Sequence, residues 1–161
     1  MADHTKLEAL GATVLASELD ERERGILADV LTLRDLREGE VLVREGSSDS
    51  HLYIVVRGAL AVVKNAGKPD EVTFNTLTPG DLAGELGFLD DLERYASLIA
   101  REGTRVLGLE RGRLEGLLSA HPQVVYKVIR SIIRVVHQVQ RRLAMQQAEL
   151  TNYIYKQHGR Y

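Results

Sequence analysis

The chain has 161 residues, 44% of them apolar and 27% charged, which is typical of a soluble globular domain with one core and room for an appended element. The absence of cysteine excludes disulfides and thiolate metal sites, and no apolar stretch approaches the roughly 20 residues of a membrane helix. The net charge of −2 is unevenly distributed, because the part before Pro122 carries 14 basic and 22 acidic side chains, whereas the rest carries seven basic and one acidic.

Residues from about 7 to 33 have a helical pattern, since apolar side chains recur there at intervals of three and four. Asp20 followed by Glu23 is a capping-box pattern, which predicts that a second helix starts at this point. We therefore expect two helices, broken near residues 17–20, in an N-terminal helical element that spans residues 1–35.

From residue 36 to residue 111 the pattern changes to short apolar runs separated by glycines. Residues 52–56 and 60–63 are nearly continuous apolar runs on either side of Arg57-Gly58. Short strands with turn signals every eight to twelve residues or so predict a mainly β domain of the sandwich or jelly-roll type.

The stretch 80–100 is the most distinctive part of the chain. Three of its glycines lie within eight residues, at Gly80, Gly84 and Gly87, as expected where a backbone turns sharply or lies close to a ligand. We expect a short helical turn after Gly84, whose free N–H groups would form an anion site. Glu85 stands in that turn and Arg94 follows one short loop later. Their side chains either pair with each other or hold two ends of a ligand, a hydroxyl and a phosphate respectively.

After residue 111 the helical period returns, and residues 112–161 are expected to form C-terminal helices. No proline or glycine occurs from residue 124 to about 154, which predicts one long helix beginning near Pro122. Such a helix is about 45 Å long, more than one small domain covers, so we expect a parallel or near-parallel homodimer. The apolar residues that indicate its coiled-coil seam are Val125, Ile129, Ile132, Val136, Val139 and Leu143.

A basic stripe lies on the same helix, opposite the seam, at Lys127, Arg130, Arg134, His137 and Arg141. This stripe is either a solvated face or a surface for an acidic protein, a nucleic acid or an anionic lipid. Specific DNA binding is not expected, because the helix is committed to dimerisation and no recognition helix is predicted.

The stretch 80–100 resembles the phosphate-binding cassette of cyclic nucleotide-binding domains, the fold of the catabolite activator protein and of the regulatory subunits of protein kinase A. The matching residues are Gly80, Asp81, Gly84, Glu85, Leu86, Gly87, Arg94, Ala96 and Ser97. Residues 37–41, 45–46 and 52–58 are similar to the first strands and central hairpin of that family. The resemblance implies a β jelly roll flanked by N-terminal helices and a long C-terminal helix.

The resemblance also implies a site for cAMP or cGMP, formed by Gly84, Glu85, Leu86, Arg94, Tyr95 and Ser97. Two residues depart from the family pattern: Ala83 replaces a large aromatic residue, and Tyr95 replaces a small residue that faces the phosphate. We expect the Tyr95 phenol to fill the phosphate space, the alternative being that it swings out towards the ligand or the long helix. Ser97 turns its hydroxyl either to the pocket or to the backbone. In the family the long helix also contacts the base of the nucleotide, and the corresponding residues here are either Val139 and Gln140 or Gln146 and Gln147.

Two functions follow from these expectations. The first is a non-enzymatic sensor that binds a cyclic mononucleotide and signals to a partner protein through its C-terminal helix. The second is a degenerate domain of the same fold, blocked by Tyr95, that acts as a dimeric interaction module.

No catalytic motif is present and the five histidines are scattered, so no enzyme, metal site or cofactor is expected. The chain ends too soon for the family's DNA-binding module, and its N-terminus does not resemble a signal peptide, so we expect a cytoplasmic protein.

Overall fold

The N-terminal element consists of two helices and a 3₁₀ turn. A computed structural model of the protein describes residues 3–158, without the side chains of Leu86 and His158. Helix α1 spans His4–Gly11, the turn spans Val14–Ala16 and helix α2 spans Glu21–Val30. The predicted capping box starts α2, because the Asp20 carboxylate accepts the Glu23 N–H at 2.8 Å and the Glu23 carboxylate accepts the Asp20 N–H at 3.2 Å.

Eight strands form the predicted mainly β domain. They are β1 (Thr32–Leu36), β2 (Val41–Val43), β3 (His51–Arg57), β4 (Leu60–Lys64), β5 (Val72–Leu77), β6 (Leu82–Ala83), β7 (Ser97–Ala100) and β8 (Thr104–Glu110). The strands make two antiparallel four-stranded sheets, in the orders β1-β8-β3-β6 and β2-β7-β4-β5. The two sheets enclose one hydrophobic core, to which Tyr53, Val62, Leu98 and Val106 belong.

The β domain begins earlier than the expected boundary at residue 36. Helix α2 ends at Val30, and β1 starts at Thr32, which pairs with Gly108 of β8. Leu33 and Leu36 are three residues apart, a spacing that fits a helix better than a strand, so pairing with β8, a contact distant in sequence, decides the conformation of this segment.

A second core lies between the first sheet and the helices. It contains Leu10 and Leu27 of the N-terminal helices, Leu107 of β8 and Ile132 of the C-terminal helix. Phe88, from a short helix within the stretch 80–100, is fully buried in the same core. This core therefore joins the glycine-rich stretch to both helical elements.

Two helices complete the chain, α4 (Arg111–Glu115) and α5 (Pro122–His158). Helix α5 has 37 residues and confirms the predicted long helix. The predicted seam is divided, however. Val125 is 8% exposed and Ile132 is 0% exposed, because this half of α5 packs on the chain's own core, whereas Leu143 is 59% exposed. Val125 and Ile132 are therefore core residues of one chain and are not available to a dimer seam, which corrects their assignment.

The first part of the basic stripe pairs with acidic residues of the N-terminal element. Lys127 Nζ lies 2.7 Å from Glu23 Oε1, and Arg134 Nη1 lies 2.7 Å from Glu18 Oε1. Arg130 Nε lies 3.8 Å from the same Glu18 oxygen. These three side chains thus form an intramolecular contact, an alternative that the sequence analysis did not include.

Candidate ligand-binding site

The stretch 80–100 folds as predicted around a short helix, α3 (Glu85–Asp90). Gly84 precedes it with a φ of 87°, a left-handed conformation that favours glycine. Within residues 3–158, no side chain caps the first turn of α3. Phe88 anchors the helix in the core, and its N–H donates to the Gly84 carbonyl at 2.9 Å. The first turn of α3 is thereby held in place.

Arg94 lies against this first turn. A methyl group built on Gly87 would lie 2.8 Å from Arg94 Nη1, and one on Gly84 would lie closer still, so both glycines make room for the guanidinium. The Arg94 side chain is only 7% exposed. Its Nη2 donates to the carbonyl of His51, while its buried Nε has no hydrogen-bond partner within residues 3–158. A buried guanidinium with an unused donor is suited to receive an anion.

Glu85 stands in the same turn and does not pair with Arg94. Among the described residues, no ion pair of 4.0 Å or less joins the two side chains, since the nearest carboxylate to Arg94 is that of Asp49, at 3.8 Å. Burial raises the pKa of Glu85, and this rise is opposed only in part by a hydrogen bond from the residue's own backbone N–H and, to a smaller extent, by the Arg94 charge. The simple Glu85–Arg94 pair that the residue types allowed is therefore absent, and both groups are available to a ligand.

Tyr95 does not take the predicted place. Its side chain is 67% exposed, whereas a phenol that filled a closed phosphate pocket would be mostly covered. The Lys64 ammonium donates to the Tyr95 carbonyl at 3.0 Å, which fixes the backbone at this point. The structure thus contradicts the prediction that Tyr95 plugs the site and agrees with the outward alternative.

Ser97 and Leu86 are the remaining predicted site residues. Ser97 is buried in β7, and its hydroxyl oxygen accepts the Glu45 N–H at 3.0 Å. This contact agrees with the backbone alternative that the sequence analysis left open for Ser97. The backbone of Leu86 belongs to the first turn of α3, whereas its side chain lies outside the described part of the chain.

The sequence analysis did not predict two residues that contact the Arg94 guanidinium. Asp49 and His51 precede and open β3, and they contact the guanidinium through a carboxylate and a backbone carbonyl. The available signal was an aspartate placed two residues before a histidine at the start of an apolar run, a pattern that favours a local side-chain turn. That pattern does not indicate which distant residue the turn contacts.

Comparison with known proteins identifies the family. Residues 33–121, more than half of the chain, match the cyclic nucleotide-binding domain. The chain belongs to this family. The domain is 30% identical over 121 residues to a cAMP-dependent protein kinase regulatory subunit of Dictyostelium discoideum, with 73% of this chain and 37% of that protein aligned. It thus spans little more than a third of that relative's length.

Two solved structures show how members of the family differ. The regulatory domain of protein kinase A from Toxoplasma gondii, crystallised with cAMP, is 27% identical, with a TM-score of 0.62 over 76% of this chain and 48% of that one. The regulatory subunit of a cAMP-independent protein kinase A from Trypanosoma brucei is 25% identical, with a TM-score of 0.67 over 91% of this chain and 50% of that one. The cyclic nucleotide-binding domain described here therefore resembles members with and without a stated dependence on cAMP.

The described part of the chain offers neither a metal-ligand cluster nor a membrane-spanning helix. No group of three or more potential metal ligands occurs within residues 3–158. None of the helices in that range is long and apolar enough to cross a membrane.

Proposed function

We propose that this domain is a regulatory sensor that binds a cyclic mononucleotide, cAMP or cGMP, between Glu85 and Arg94. The observation that carries the proposal is the Arg94 guanidinium, buried beside the first turn of α3 with one donor unused. A cyclic phosphate would accept from Arg94 and from the amides of this turn. The carboxylate of Glu85, which lies in the same turn and makes no ion pair with Arg94 within 4.0 Å, would accept a ribose hydroxyl.

The degenerate-domain alternative has lost the blockage on which it depended. The side chain of Tyr95 is 67% exposed, which does not fit a ring that fills the phosphate site. The family nevertheless includes a cAMP-independent kinase subunit, so that binding by this chain has to be measured.

The direct test is calorimetry of the purified domain with cAMP and with cGMP. We expect one of them to bind, and Arg94→Gln to weaken binding roughly 100-fold or more, since each charge-assisted bond contributes about 1.5–3 kcal/mol. Tyr95→Ser is the control, and it should change the affinity little because the ring lies outside. Absence of binding by the unmutated protein at millimolar nucleotide, or a large gain on Tyr95→Ser, would favour the degenerate module instead.

The signal would leave through α5, whose first half packs on the same core as Phe88 of α3. Ligand contacts that shift α3 would therefore act on α5 through direct side-chain packing. We further propose that the exposed second half of α5 joins two copies of the chain. Its outward apolar residues on the seam face are Val139, Leu143, Leu150 and Tyr153.

A further inference from the structure

Asp49 is fixed in place by donors from β3. Its Oδ1 accepts the His51 N–H at 2.8 Å and lies 2.8 Å from the His51 ring nitrogen Nδ1. Its Oδ2 accepts the Tyr53 hydroxyl at 3.1 Å. The His51 and Tyr53 rings stack in turn, with their centroids 5.6 Å apart and their planes 10° from parallel. Movement of the Asp49 carboxylate would break several of these contacts at once.

The same carboxylate faces the Arg94 guanidinium. Asp49 Oδ1 lies 3.8 Å from Arg94 Nη2, and within residues 3–158 no other carboxylate lies within 4.0 Å of that guanidinium. At this distance the two charges attract each other without a hydrogen bond, because such bonds span about 2.7–3.2 Å. Arg94 is almost fully buried and Asp49 largely so, and water therefore screens the attraction poorly.

We propose that Asp49 is an internal counter-ion that competes with the ligand phosphate for Arg94 and thereby sets the affinity of the site. The inference rests on the proposed function. A phosphate that hydrogen-bonds to Arg94 gains more from the guanidinium than Asp49 does at 3.8 Å, so exchange is possible. The carboxylate cannot withdraw, however, because His51 and Tyr53 hold it. Its repulsion of the phosphate persists in the complex and lowers the affinity.

The Asp49→Asn variant tests the negative charge of Asp49 separately from its hydrogen bonds. The amide keeps an oxygen that accepts the His51 N–H and has nearly the shape of the carboxylate, but it removes the negative charge. We expect it to bind the preferred nucleotide about 3- to 30-fold more tightly, the order of magnitude for one like charge removed at this range. Asp49→Ala should lose part of that gain, since the turn before β3 then lacks its acceptor. Tyr53→Phe keeps the charge and the ring stack, and its affinity should stay within about twofold of the parent.

The binding results distinguish the alternatives. An Asp49→Asn variant that binds as the parent does, or more weakly, overturns the proposal while the sensor function stands. Equal gains in Asp49→Asn and Asp49→Ala would show that charge alone matters, which still supports competition. Loss of binding in both would show a purely structural role and would overturn it.

A second measurement tests the pair without nucleotide. Urea unfolding should give a lower midpoint for Asp49→Asn than for the parent, whereas the same substitution in an Arg94→Gln background should not lower the midpoint further. An equal loss in both backgrounds shows that Asp49 is not the counter-ion of Arg94 and overturns the proposal. The two substitutions could be coupled in unfolding while neither the parent nor Asp49→Asn binds nucleotide. That result contradicts both the proposed function and the proposed competition, but it leaves the Asp49–Arg94 pair established.

Discussion

At the scale of single residues, Glu85 carries the most informative charge in the molecule. Burial raises its pKa above the ordinary value of 4.5, and a hydrogen bond from its own backbone N–H and the Arg94 charge oppose this shift only in part. Folding therefore favours the protonated form. The contribution of Glu85 to stability is largest below pH 4.5 and falls as the pH rises through its elevated pKa. A carboxylate retained under these conditions is typical of a group kept for binding.

Glu85→Gln should therefore raise the urea midpoint at neutral pH, because a neutral amide avoids the cost of burying the ionised carboxylate. The advantage over the parent should shrink as the pH is lowered and vanish well below 4.5. Urea unfolding followed by circular dichroism between about pH 3.5 and 7.5 measures it. Glu93→Gln, an exposed change in the same loop, is the matched control and should show no such trend. An advantage that does not depend on pH would contradict this account of Glu85.

Residue types and spacing predicted Arg94, Glu85 and the glycines beside them, because charge and backbone freedom are local properties. The orientations of Tyr95 and Ser97 could not be predicted in the same way. The Ser97 hydroxyl accepts a hydrogen bond from a distant residue, the Glu45 N–H, and the Tyr95 backbone carbonyl accepts one from the distant Lys64 ammonium. The pairing of Arg94 with the segment before β3 is likewise a tertiary contact, for which the sequence alone offers no direct sign.

At the scale of elements, α5 combines two environments on one continuous face. Its first half is part of the core, whereas residues 137–157 are exposed on every side. The apolar face continues from one half to the other with the heptad spacing kept, and a polar residue, Gln146, interrupts it only between Leu143 and Leu150. An isolated helix with such a face buries it by association, at about 1.5–3 kcal/mol for each aliphatic side chain before entropic costs.

Leu143→Asp should convert a dimer into a folded monomer, since a charge then lies in the middle of the exposed seam. Met145→Asp is the matched control: Met145 is as exposed as Leu143 but lies on the opposite side of the helix, so that variant should stay dimeric. Light scattering at micromolar concentration measures both. Ile132→Asp, by contrast, should prevent folding, because Ile132 is in the core. A monomeric parent, or equal effects of Leu143→Asp and Met145→Asp, would refute the proposed seam.

The helix boundaries and the capping box were predictable, since they depend on neighbouring residues. The division of the seam into a buried half and an exposed half was not predictable. Heptad spacing shows which side chains avoid water, but it does not show what covers them. Strand β1 is a similar case: the spacing of its leucines fits a helix, and its partner strand lies about 70 residues away in the chain.

At the scale of the whole molecule, the charge asymmetry brings two parts of one chain together. The acidic N-terminal element meets the basic start of α5 at Glu18 and Glu23, so part of the basic stripe is neutralised internally. The stripe is therefore a poor surface for nucleic acid.

We expect only weak, sequence-independent DNA binding that disappears as salt rises. Glu18→Gln should increase it, because Arg130 and Arg134 lose their shared partner, whereas Glu38→Gln, an exposed change elsewhere, should not. Fluorescence anisotropy with a labelled duplex at two salt concentrations measures this. Tight binding to one sequence at physiological salt would contradict the expectation.

In the proposed sensor, the exposed half of α5 would act as a lever arm. Residues 138–158 extend about 30 Å beyond the body, at a rise of about 1.5 Å per residue. A tilt of about 10° where α5 leaves the core would therefore displace its far end by roughly 5 Å, about one helical turn. A small shift of α3, of a size that packed side chains absorb, would thus be enlarged along α5. The resulting displacement at the far end of α5 is large enough to change which surfaces come into contact there.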